Sequence, residues 1–237
     1  MPELLARGVV RRFGDRTPVR GVDLQLHAGE VFGLIGPNGG GKSTLLLLLA
    51  GLLHPSEGEV TVDGRPTTEL AVAATGTIGL ITAEPGLYPL LTGWENLVFF
   101  GGLYGLDPAA VRAGCGERLA RLGLTDALSH RVATYSSGMK QKVSLARALL
   151  LAPRILLLDE PTSNLDPLSS QRLHAEIRAC ADDGVAVALA THDLHAAEHV
   201  CDRVGVMAQT LHGVQRLPGS REAPPIGRLH RMLAESP

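Results

Sequence analysis

Gly36 to Ser43 spells GPNGGGKS, glycines closing on a lysine and a hydroxyl in the spacing G-x-x-x-x-G-K-[S/T]. Those residue types at that spacing build an anion cradle. Gly36, Gly39, Gly40 and Gly41 reach backbone angles closed to other residues, and without side chains they let successive N–H groups around Pro37 and Asn38 turn inward on phosphate oxygens. Lys42 supplies a point charge for β and γ phosphates, and the Ser43 hydroxyl can ligate Mg²⁺. The chemistry is that of a nucleoside triphosphate site. Far downstream, ILLLDEP ends an apolar run on two acids. Asp159 is placed to hold Mg²⁺ directly or through water, and Glu160 to accept a proton from water attacking the γ phosphate. His192 follows the apolar run VAVALA and reaches the same edge.

These groups need elements that bring them together. VFGLIG, from Val31, reads as a buried strand leading into the glycine loop, and TLLLLLA, from Thr44, as a helix leading out, offering free amides and the positive end of its dipole. VDLQLHAGEVFGLIG and EVTVDG carry the alternation or short β-branched runs of strands, so the N-terminal third is expected to be β-rich. LTGWENLVFFGGLYG and DPAAVRAGCGERLARLG read as helices of an inserted region, with Pro108 in a first turn after Asp107. From Ser136 onward helix, strand, helix, strand follow, which predicts a parallel sheet with its ligand at the carboxyl ends of the strands. The expected fold is therefore α/β: a phosphate-loop nucleotide-binding core with a mostly parallel sheet.

The chain has 237 residues, enough for one large domain, and its 45% hydrophobic content suffices for a core. A net charge of −2, with 22 scattered basic residues, leaves no electrostatic footprint for nucleic acid. Cys115, Cys180 and Cys201 are odd in number and far apart, which points to reduced thiols in a cytoplasmic compartment. The start MPELLARGVVRRFG lacks the order of a signal peptide, and the longest apolar stretch falls far short of the roughly 20 residues a bilayer demands.

With these motifs in order, the chain resembles the ATP-binding cassette family, the ATPase subunits of ABC transporters. YSSGMKQK at Tyr135 to Lys142 matches the family signature, TSNLDP at Thr162 to Pro167 its D-loop, and ATHD at Ala190 to Asp193 its switch histidine. The resemblance implies an ATPase core with an N-terminal antiparallel β subdomain, residues 1–217 forming one domain with helices inserted at about 84–150, and a short tail at 218–237. It also implies two ATPase subunits stacked head to tail on ATP and Mg²⁺, peripheral on the inner face of the membrane through a separate permease. Ser136 and Gly138 would then meet the γ phosphate held by the partner, Asp166 would join the nucleotide contacts, and Phe13 resembles the aromatic that stacks on adenine. A soluble non-transport ATPase or an ATP-gated regulatory module are the alternatives.

Departures from the family pattern are few. Ala83 stands where many members carry glutamine, so that either Glu84 or a water substitutes or metal coupling to the partner is looser, while Ser137, Met139 and Asn164 replace a glycine, a glutamine and a glycine. Leu87, Tyr88, Trp94, Leu97, Phe99 and Phe100 are candidates for contact with the permease, although packing inside the helical region serves most of them better. His195 and His199, four apart with Cys201 nearby, have a metal-ligand spacing, but the segment reads better as a solvated surface helix. GLYPLLTGWENL and YSSGMKQK together resemble exporters more than importers.

Overall fold

A computed structural model of the chain describes residues 3–73, 75–163 and 165–217. In chain order, β1 (Leu4–Phe13), β2 (Arg16–Leu26) and β3 (Val31–Ile35) precede α1 (Lys42–Leu49), and β4 (Glu57–Val62), β5 (Arg65–Pro66), α2 (Thr67–Val72) and β6 (Ile78–Ile81) follow. The helices α3 (Gly93–Leu103), α4 (Pro108–Arg121) and α5 (Ser137–Ala148) come next, then β7 (Ile155–Asp159), α6 (Pro167–Asp182), β8 (Ala186–Thr191), α7 (Leu194–Val200), β9 (Arg203–Ala208) and β10 (Thr210–Arg216). One sheet is antiparallel, in the order β2-β1-β4-β5. The other runs β10-β9-β3-β8-β7-β6, parallel throughout except at the β9–β10 hairpin.

The periods explain the two sheets. β3, β7 and β8 are apolar runs, β7 and β8 ending on Asp159 and Thr191, and every residue in them is buried, as a strand covered on both faces requires. β2 alternates instead, with Val22, Leu24 and Leu26 inward and their neighbours in solvent. Parallel pairing brings the carboxyl ends of β3, β7 and β8 to one edge, with Ile35 opposite Thr191 and Asp159 opposite Ala190. The glycine loop, the paired acids and His192 all leave the sheet there.

The helices α3, α4 and α5 close over their own apolar cluster of Leu97, Val111, Cys115, Leu119, Val143 and Ala146. Each has a readable start. Thr92 and Glu95 form a reciprocal capping box on α3, while Asp107 caps α4 with Pro108 in the first turn. Leu97, a candidate for contact with a partner on sequence grounds, is fully buried in this cluster and is unavailable to one. Leu97→Ala is expected to cost about 2–5 kcal/mol of stability through the cavity it leaves, read as a shift of the urea midpoint with an unchanged slope.

Part of this architecture had no clear sequence signal. β1 is interrupted by bulges along its pairing with β2, and its arginines blur the alternation. The end of the segment read as a surface helix is instead the start of β9, because α7 stops at Val200 and Cys201 is fully buried. Even within α7, Ala196, Ala197, Glu198 and Val200 are buried, so only one face is solvated. Asn164 and the tail 218–237 lie outside the described residues. Among the described residues no helix is long and apolar enough to cross a membrane.

Candidate functional site

The loop between β3 and α1 is shaped by close approach as much as by flexibility. Gly41 takes φ 96°, and a Cβ there would lie 2.1 Å from the Pro18 carbonyl oxygen. Gly36, at φ 152°, would place a Cβ 2.3 Å from the carbonyl oxygen of Met207. No side chain fits either position. Gly41 also caps α1 without a side-chain hydrogen bond, which leaves the first amides of that helix free for an anion. Gly41→Ala is expected to lose at least about 1–3 kcal/mol of stability from backbone strain, visible as a lowered Tm, and nucleotide binding with it.

Lys42 is buried beneath the loop, its Nζ donating to the carbonyls of Gly36 at 2.8 Å and Pro37 at 3.1 Å. It also lies 3.8 Å from Glu160 Oε1. Glu160 takes a left-handed φ of 48°, strained for a residue with a side chain, while its N–H donates to the Ala190 carbonyl at 2.9 Å. His192 Nδ1 approaches Glu160 Oε1 to 2.9 Å without hydrogen-bond alignment, and Oε1 has no partner in hydrogen-bond geometry. Thr191 Oγ1 donates weakly to the other oxygen at 3.4 Å.

Asp159 is 7% exposed, and its Oδ1 is buried without a partner. Burial pushes its carboxyl above the usual range, a hydrogen bond from Ser43 opposes that, and Glu160 and Lys42 add smaller effects of opposite sign. A buried orphan oxygen beside a serine hydroxyl suits a hard cation with oxygen ligands. The residues therefore fit Mg²⁺.

A cavity of about 700 Å³ unites these parts, lined by Pro37 to Thr44, Asp159 and Glu160 at one end and by Phe13 at the other. Phe13 closes β1 with 46% of its surface exposed, so it is not a core residue. The Arg11 guanidinium sits 4.4 Å from the ring centroid on one face. Asp15, Arg16, Arg20 and Gln209 line the same cavity, and no motif marks them.

Ser136, Gly138 and Asp166 stand outside it, and His192 reaches it only through its contact with Glu160. Ser136 caps α5, accepting from the Met139 N–H at 3.3 Å, and Gly138 is buried behind it, where a Cβ would meet Leu165 and Ser169 at 3.4 Å. Asp166 caps α6, accepting from the Ser169 N–H at 2.9 Å, and bonds from Ser169 hold its carboxyl below the usual range. Neither Ala83 nor Glu84 lines the cavity. His195 and His199 bring their Nδ1 atoms to 2.9 Å, but Cys201 is buried with its thiol pushed far up by burial. Among the described residues no three histidine, cysteine or acidic side chains form a metal site.

The family model for ABC transporters matches residues 19–163. A linearmycin resistance ATP-binding protein of Bacillus subtilis is 35% identical over 87% of this chain and 66% of its own length. A Nod factor export ATP-binding protein of Burkholderia lata is 37% identical over 86% of this chain and 67% of its own. The chain thus spans about two thirds of these relatives. A solved structure of a dimeric ATP-binding cassette in a post-hydrolysis state, bound to ADP and Pi, superposes with a TM-score of 0.80 at 28% identity, covering 91% of this chain and 99% of that one. Motif order, site geometry and these likenesses agree: the chain belongs to the ABC transporter family, as an ATP-binding cassette.

Proposed function

We propose that this chain binds and hydrolyses ATP as the motor subunit of an ABC transporter, in pairs and beneath a separate membrane permease. One observation carries the reading. The phosphate loop, Asp159 and Glu160 line one cleft, with His192 Nδ1 2.9 Å from Glu160 Oε1 beside it, whereas Ser136 and Gly138 lie outside the lining on the N-terminus of α5. A signature motif remote from its own cavity has work only against the cavity of a second copy or a close relative.

Within one site, Phe13 takes the adenine and residues 36–44 cradle the phosphates. Lys42 releases the carbonyls of Gly36 and Pro37 to meet β and γ oxygens. Ser43 and Asp159 would hold Mg²⁺, which would supply neutralisation of phosphate charge. Glu160 takes a proton from the attacking water, and His192, with Nδ1 2.9 Å from Glu160 Oε1, contacts that water and the γ phosphate. Ser136, Gly138 and Asp166 of the other subunit complete the enclosure. Residues 1–217 act as one domain with the helices of about 84–150 inserted in it, and the cassette sits on the inner face of the membrane.

The apolar hollow of Tyr88, Pro89, Leu90, Leu91 and Phe99, about 340 Å³, supplies the permease contact, with Leu90 77% exposed at its rim. Names of relatives that speak of resistance and export support an outward direction. The test is affinity purification of the full chain from solubilised membranes. A polytopic membrane protein is expected in near-stoichiometric yield with the wild type and lost with Leu90→Asp, while the ATPase rate of the isolated Leu90→Asp chain stays within about twofold of wild type. Purification without any membrane protein would remove the transport reading.

A further inference from the structure

The phosphate loop is held from outside by a turn that no motif marks. β9 passes into β10 through Gln209, whose φ of 67° is left-handed and uncommon for a residue with a side chain. Its N–H donates to the Gly40 carbonyl at 2.8 Å, and its own carbonyl accepts from the Arg20 N–H at 2.7 Å. Gln209 lines the nucleotide cavity with Arg20 and Gly40. The neighbouring Met207 carbonyl is so close that a Cβ at Gly40 would lie 2.6 Å from it.

The planarity of the peptide gives the first bond its consequence. The carbonyl of Gly40 and the N–H of Gly41 belong to one trans unit and point in opposite directions. A bond that fixes the carbonyl on Gln209 fixes the Gly41 N–H away from it, at the mouth of α1. Were that peptide to flip, a carbonyl oxygen would stand where an anion needs a donor. The second bond ties the same residue to β2, whose Arg16, Thr17, Pro18 and Arg20 line the cavity with Phe13.

We infer that Gln209 is a positioning residue, whose backbone locks the Gly40–Gly41 peptide in its anion-binding orientation and joins the phosphate end of the cavity to β2. The inference rests on the reading that this loop binds nucleoside triphosphates. It requires the backbone N–H of residue 209 and a left-handed φ, not the amide side chain.

Three variants separate those requirements. Gln209→Pro removes the N–H and cannot take that φ; Gln209→Gly keeps the donor and suits the φ; Gln209→Ala removes the side chain alone. Calorimetric titration with ATP and with inorganic tripolyphosphate is expected to show about three- to tenfold weaker binding of both ligands by Gln209→Pro, the loss of one hydrogen bond, and affinities within about twofold of wild type for the other two. In steady-state assays Gln209→Pro raises KM for ATP and leaves kcat nearly unchanged. A Gln209→Pro protein with wild-type affinity, a Gln209→Gly protein as weak as it, or a fall in kcat with KM unchanged overturns the assignment. Should Gln209→Pro fail to fold, hydrogen exchange on the wild type decides: the Gln209 amide is expected to be protected like those of β9, and free exchange overturns the inference. Wild-type protein that binds neither ligand would instead overturn the nucleotide reading beneath it.

Discussion

Glu160→Gln is expected to slow ATP hydrolysis by about 10²- to 10⁴-fold, the usual worth of a general base, while leaving ATP binding intact. The substitution keeps the shape of the side chain and removes its ability to accept a proton. It also removes the charge facing Lys42 at 3.8 Å and His192 at 2.9 Å, so Lys42 is freer to turn from the glutamate to phosphate oxygens. Bound ATP then persists, and with it the enclosure that Ser136 and Gly138 complete from a second subunit. Size-exclusion chromatography with saturating ATP should show a stable dimer for the variant and monomer for the wild type. A variant that stays monomeric at saturating ATP would count against the paired site, and one that hydrolyses at the wild-type rate would remove Glu160 from the chemistry.

Asp159→Asn should have two effects of opposite sign. Burial raises the carboxyl pKa of Asp159 in the folded protein above its value in the unfolded chain. Between those two values the folded state binds more protons than the unfolded one, so stability falls as pH rises through this window, and the cost of the buried charge is felt fully above it. Asparagine carries no such charge. The nucleotide-free variant should therefore melt higher than the wild type at neutral pH, with the gap closing as pH drops into the carboxylate range. Hydrolysis should fall by about a hundredfold or more, because metal stabilisation of phosphate charge is worth several kcal/mol. ATP affinity should also lose most of its dependence on added Mg²⁺. A lower melting temperature at neutral pH, or an intact Mg²⁺ effect, would show that Asp159 is a structural acid.

The two arguments draw on opposite properties of neighbouring acids. Glu160 is strained in backbone, partly exposed and faced by Lys42 and His192, whereas Asp159 is the last residue of a buried strand and accepts from Ser43. One strand end thus presents a carboxylate suited to proton transfer beside one suited to a metal.

Much of this was legible in the amino-acid sequence because the chemistry is local. GPNGGGKS needs only its own glycines, its lysine and the helix it opens, and β7 delivers Asp159 and Glu160 because its four apolar residues can only be buried. Strands alternating with helices implied the parallel sheet and hence the shared edge. Tertiary structure decided the rest. Bulges in β1 and the turn at Gln209 have no local pattern, since one follows from pairing with a neighbouring strand and the other from a backbone bond to Gly40. Leu97 could have faced a partner or packed within the helical region, and the closure of α4 and α5 over it decided for packing. Asp166 and Ser136, read as nucleotide contacts, each cap a helix in their own subunit. The sequence alone determined which residues carry the chemistry, because side-chain type and near-neighbour spacing specify it. Only the folded chain decided that Ser136 and Gly138 stay out of the cavity that the phosphate loop lines, because that depends on how α5 packs beside the sheet.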